Sequence, residues 1–176
     1  LGGSNQREIH TDMTISIGDP EKVARDAMNF KKEGFPAIKV KLGTTTREDV
    51  ARIRAIREAV GPDYPIRIDA NQGWDFELLK EVIPKCVDLN LQMIEQPLAR
   101  GTDDVLETFD SPIILAADES CLHTGELETA AGRYDMINIK LDKTGGLTEA
   151  LKLADKALSM GFELMVGNML GSSLAM

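Results

Sequence analysis

At 176 residues, 43% hydrophobic and 28% charged, the chain has the composition of an ordinary soluble domain and enough length to bury a sizeable core. A net charge of −9 argues against nucleic acid or an anionic membrane surface as a partner. No apolar run is long enough to span a bilayer and no signal peptide precedes the first strand. The only two cysteines, Cys86 and Cys121, lack metal-type spacing, so a reducing, cytoplasmic setting is expected.

Taken in order, Asp12–Ile17 alternates and suits a first strand. Asp19-Pro20-Glu21 then reads as a helix start, and Gly34 as its stop. Ala37–Leu42 suits a second strand. Thr46 with Asp49 resembles a capping box opening the helix that carries Val50, Ile53, Ile56 and Val60, ended by Gly61-Pro62. Ile66–Ile68 is the third strand, and the helix from about Phe76 contains Pro84, where a break or kink is expected. Leu91–Ile94 and Ile113–Ala116 follow as strands, each with a short helix after it, around Asp103–Phe109 and Gly125–Ala131. Met136–Ile139, a helix over Leu147–Met160 and Phe162–Val166 complete the run.

Strand and helix thus alternate without hairpin signals, the pattern of a parallel α/β sheet. No phosphate-binding glycine loop follows the first strand, which disfavours a nucleotide-binding doubly wound sheet. Acids at the ends of several adjacent strands favour a TIM-like β/α barrel, whose active sites gather at the C-terminal face. Both ends of the chain read as cuts, since Leu1 is no initiator and an eighth strand is missing. The expectation is therefore one incomplete catalytic barrel domain over residues 1–176, a partial (β/α)7β barrel.

The stretch IRIDANQGWD, Ile66–Asp75, ends an apolar strand abruptly in Asp69; Glu95 ends QMIE and Asp118 ends ILAAD. Their intervals, 26 and 23 residues, are each about one strand-plus-helix unit. A single acid of this kind more often simply caps the following helix, but three in register reverse that preference. Three carboxylates so close stay ionised only beside a cation. An all-oxygen set suits Mg²⁺, with Mn²⁺ as a substitute.

Lys39 and Lys41, two apart on one strand, share a face. Lysines inside a barrel are costly unless they meet negative partners at its polar mouth. Lys140 ends the sixth strand, opposite the second in an eight-stranded ring. Amines on two sides of a metal suit proton abstraction α to a carboxylate through an enediolate, and return of the proton on the other face. A lone general base supplies typically about 10²–10⁴-fold, so preorganised positive charge must supply the rest. A Schiff-base lyase using Lys140 is an alternative.

The motifs IKVKLG (Ile38–Gly43), DANQGW (Asp69–Trp74), IEQPL (Ile94–Leu98), ADES (Ala117–Ser120) and INIKLDKTGGL (Ile137–Leu147) resemble the enolase superfamily. Within it they are most similar to the muconate-lactonising subgroup and its dipeptide epimerases of the L-Ala-D/L-Glu type. The resemblance implies metal ligands at Asp69, Glu95 and Asp118, and acid/base catalysts at Lys41 and Lys140. It implies an assisting Lys39 near the substrate carboxylate, and Asn71 and Glu119 orienting the ligands. It also implies a pocket lined by Gly167, Asn168, Met169 and Leu170. The implied substrate is a small carboxylate, a dipeptide first of all. Muconate cycloisomerisation, dehydration to o-succinylbenzoate and N-acylamino acid racemisation stay open, as does a homo-oligomer. Family members also carry an N-terminal capping domain and an acidic eighth-strand motif, neither of which this sequence contains.

Overall fold

The computed structural model describes residues 9–169. Seven strands, β1 (Asp12–Ile15), β2 (Ala37–Lys41), β3 (Ile66–Asp69), β4 (Met93–Glu95), β5 (Ile114–Ala117), β6 (Met136–Lys140) and β7 (Glu163–Gly167), are all parallel. They stand in one sheet in sequence order, β1 to β7. Each strand therefore pairs with the next across an intervening helix or turn, which is the connectivity of a curled β/α barrel sheet. Helices α1 (Pro20–Lys32), α2 (Thr46–Val60) and α3 (Phe76–Asp88) link the first four strands. Short helical turns, Asp103–Thr108 and then Thr124–Glu126 with α4 (Leu127–Ala130), serve the next two. After β6 come α5 (Leu141–Thr144) and α6 (Leu147–Ser159).

The period-two pattern of the strands sorts side chains to two faces. On β2, Ile38 and Val40 are fully buried, as are Ile66 and Ile68 on β3 and Ile94 on β4, together with Val23, Ala27, Ile53 and Ile56 of α1 and α2. The alternate positions of β2, Lys39 and Lys41, are partly exposed. Register then lines up Lys41 with Asp69, and Asp69 with Glu95, in one row across three strands.

Four local expectations change. The first strand stops at Ile15 rather than Ile17. Helix α2 is capped one residue earlier than the Thr46–Asp49 pairing: the Thr45 hydroxyl accepts from the Glu48 amide, while Asp49 is buried and otherwise engaged. Helix α3 runs on through Pro84 to Asp88; proline withdraws only one donor, and the packing of Leu79, Val82, Ile83 and Cys86 against the sheet outweighs it. The turn α5, directly after Lys140, has no counterpart in the sequence reading. No helix among the described residues is long and apolar enough to cross a membrane.

Candidate active site

The acids stand at the C-terminal ends of β3, β4 and β5. Glu95 is fully buried, Asp118 is 1% exposed and Asp69 4%. Burial raises the Asp69 carboxyl above its ordinary range; Lys39, Lys41 and the Asn71 amide pull it back, and Asp118 pushes it up again. Glu95 is likewise raised by burial, opposed by Lys39 and reinforced by Asp69 and Asp118. Asp69 and Glu95 thus feel the neighbouring acids across water-poor space.

Lysines answer them from two sides. Lys39 Nζ donates to Glu95 Oε2 at 2.8 Å. Burial lowers the Lys39 ammonium, but attraction from Glu95, Asp69 and Asp12 outweighs that and leaves it above its ordinary value. Lys41 Nζ lies 3.8 Å from Asp69 Oδ2 and donates to Asn71 Oδ1 at 3.2 Å. On the far side Lys140 Nζ is 2.5 Å from Asp118 Oδ2 and 4.0 Å from Glu95 Oε1. The acids therefore lie between amines of β2 and β6.

Asn71 is held in left-handed backbone (φ 48°), with its amide on Asp69 Oδ1 at 2.9 Å and its side-chain Nδ2 on Glu119 Oε1 at 3.1 Å. That joins the loops after β3 and β5. The pocket residues divide. Gly167 closes β7 against β6, whereas Asn168 and Met169 are exposed, and among the described residues no hydrogen bond ties them to the acids or lysines. Leu170 lies outside the described residues.

Several participants escape sequence reasoning. Asn138, 2% exposed on β6, donates from Nδ2 to Glu95 Oε1 at 2.6 Å, and among the described residues its buried Oδ1 has no partner. Lys143, on α5, donates to Asp118 Oδ1 at 2.6 Å. Gln96, fully buried with φ 36°, accepts the Asp118 and Ser120 amides on Oε1 at 2.9 and 3.0 Å. Spacing in INIK and KLDK places Asn138 and Lys143 near Lys140, but only the fold brings their partners to them.

In this arrangement the acid oxygens are turned onto ammonium and amide groups, and among the described residues no three acid, histidine or cysteine side chains converge on one ion-sized point. The donor chemistry nonetheless fits a hard divalent cation. Asp69, Glu95 and Asp118 offer only oxygens, and burial, reinforced by the neighbouring acids, holds Asp69 and Glu95 above their ordinary range, so a cation beside them would favour their ionised forms. An ammonium standing between Asp118 and Glu95 marks where positive charge is wanted.

Comparison with known proteins supplies the lineage. The chain is similar to an L-Ala-D/L-Glu epimerase of Escherichia coli (strain K12), 45% identical over 175 residues, covering 99% of this chain and 54% of that protein. It is also similar to an N-acetyl-D-glutamate racemase of Pseudoalteromonas sp, 45% identical over 163 residues, covering 93% of this chain and 50% of that one. A solved dipeptide epimerase from Cytophaga hutchinsonii, complexed with Mg and the dipeptide D-Ala-L-Val, superposes with a TM-score of 0.93 at 39% identity, over 98% of this chain and 48% of that one. The chain thus spans about half the length of the relatives it matches. The family profile described as Enolase C-terminal domain-like matches residues 22–176, and with the parallel sheet and its row of strand-end acids, this chain belongs to that family.

Proposed function

We propose that the chain contributes the catalytic barrel of a Mg²⁺-dependent epimerase that removes and returns the proton α to a substrate carboxylate, acting on a dipeptide. Supporting this reading above all is the bracketing of three buried acids by two amines from opposite strands, Lys41 and Lys140. Asp69, Glu95 and Asp118 would hold Mg²⁺, with Mn²⁺ as a substitute, and Asn71 and Glu119 would orient them. The bound ion would supply positive charge at the substrate carboxylate, where the second negative charge of the enediolate develops.

Lys41 takes the α-proton from one face as a general base, and Lys140 delivers one to the other face as a general acid; for the opposite epimer the roles exchange. Lys39 adds a fixed positive charge beside them. Asn138 restrains Glu95, so the acid need not reorganise as charge builds up. Gly167, Asn168 and Met169 would form the substrate side of the mouth. Both free cysteines are buried thiols, in keeping with a cytoplasmic location.

The test is α-deuterium incorporation in D₂O with Mg²⁺ and a dipeptide library. Deuteration with inversion supports the reading; no exchange with any dipeptide or N-acyl amino acid overturns it. A second reading, the same chemistry on an N-acyl amino acid, is favoured by the racemase relative at 45% identity. N-acetylglutamate set against Ala-Glu in the same assay separates the two. Borohydride trapping of Lys140 with substrate would instead favour Schiff-base chemistry.

A further inference from the structure

We infer that Asp49 is a positioning residue that sets Lys41 through a clamp on three barrel loops, an inference that rests on the proposed role of Lys41. Asp49 lies in the first turn of α2, is fully buried, and takes part in none of the contacts to the strand-end acids described above. Its Oδ2 accepts from the Gly43 amide at 3.0 Å, the Thr44 amide at 3.1 Å and the Trp74 indole Nε1 at 3.3 Å. Its Oδ1 accepts from the Thr44 hydroxyl at 2.8 Å and from Arg52 Nη1 at 2.9 Å. Arg52 in turn donates to the Gly18 carbonyl at 2.8 Å and to the Thr44 hydroxyl at 2.6 Å. One ion pair therefore ties together the loops that follow β1, β2 and β3.

A buried carboxylate is costly unless its oxygens are fully bonded, and here they are. Its five donors lie where they bear on the site. Gly43 and Thr44 are the second and third residues after Lys41; Trp74 is the third after Asn71, whose Oδ1 receives the Lys41 ammonium at 3.2 Å. The two loops touch through glycine: a Cβ on Gly73 would stand 2.8 Å from Gly43 Cα, and Gly43 has φ +116°. Asp49 thus spans the junction on which the Lys41–Asn71 distance depends. The Lys41 side chain is itself 41% exposed, so little else confines it. Lys140 is only 10% exposed, is held directly by Asp118, and among the described residues makes no hydrogen bond to the clamp. Loosening the clamp should therefore disturb one catalytic amine and spare the other, which a general loss of structure would not do.

Asp49→Asn keeps the shape but removes the charge that Arg52 pairs with, and Thr44→Val removes only the hydroxyl bonds at a surface position. Two measurements on the full chain decide the matter. In the first, α-proton exchange in D₂O with Mg²⁺ is followed separately for L-Ala-L-Glu and L-Ala-D-Glu. Misplacing a reacting group can cost up to about a hundredfold, so Asp49→Asn should slow exchange of one epimer about tenfold or more and leave the other nearly unchanged. Thr44→Val should shift the same epimer by a smaller factor. In the second, competitive acetylation of the ligand-free protein, read by mass spectrometry, should show a changed Lys41-to-Lys140 labelling ratio in both variants. Equal slowing of both epimers, or a labelling ratio matching wild type, overturns the inference. If wild type exchanges neither epimer, the proposed function fails on its own account, and the labelling ratio alone decides on the clamp.

Discussion

Gly167 on β7 and Asn138 on β6 approach so closely that a side chain at position 167 requires one of them to shift: a Cβ there would stand 2.6 Å from Asn138 Oδ1. It would also stand 2.9 Å from Lys140 Cε. Gly167→Ala should then displace the Asn138 amide that holds Glu95, or the Lys140 stem, or both. Overpacking of this kind costs about 1–3 kcal/mol. A lowered Tm together with a loss of α-proton exchange is expected; a Tm equal to that of wild type would show that the site yields freely.

Asn138 is the buried group that holds Glu95 Oε1, at 2.6 Å. Loss of a partner that orients a metal ligand typically costs about 10–100-fold in metal affinity. Calorimetric titration of Mg²⁺ into Asn138→Ala should show a weakening of that order, with little change in far-UV circular dichroism. Unaltered affinity would mean that Glu95 needs no such restraint.

Lys41 and Lys140 approach the acids from opposite sides, at Asp69 and Asp118 respectively. Lys41→Ala and Lys140→Ala should each abolish epimerisation, and each should retain exchange for a different epimer. Proton NMR in D₂O reads both quantities at once. Inversion surviving in both variants would remove the two lysines from the chemistry.

Cys86 is fully buried in α3, and burial pushes its thiol up to about 12, with Lys85 opposing and Asp49 adding to the rise. The folded chain therefore holds this proton more tightly than the unfolded chain, whose thiol titrates near ~8.5. Below that pH the thiol contributes no slope. Between about 9 and about 12 the unfolded state loses the proton first, so stability falls with rising pH, by at most about 1.4 kcal/mol per pH unit. Urea unfolding at pH 8.0, 9.5 and 10.5, roughly spanning that onset, should show a steeper decline for wild type than for Cys86→Ala. Parallel declines would contradict the assignment.

Much of this was legible in the chain itself. Alternation of β-type and helical periodicity is a local property, so the parallel sheet could be read directly, as could the common face of Lys39 and Lys41, while the acids at adjacent strand ends favoured the barrel over a doubly wound order. Asp69, Glu95 and Asp118 stood out because a charge ending an apolar strand conflicts with burial, and such conflict is visible without coordinates. The family motifs were equally local.

What the tertiary structure alone decided concerns partners distant along the chain. Thr45–Glu48 and Thr46–Asp49 both have capping spacing, and the choice fell to Thr45 because Asp49 is drawn into the loops after β2 and β3. Pro84 reads as a breaker, yet packing of the buried face of α3 keeps the helix continuous. Asn138, Lys143 and Gln96 are ordinary polar letters until folding carries them to acids or amides some 22 to 43 residues away. Periodicity reports which face a residue occupies; only the closed packing of strands and loops determines what that face meets, because hydrogen bonds and steric exclusion act over a few ångströms of space rather than along the chain.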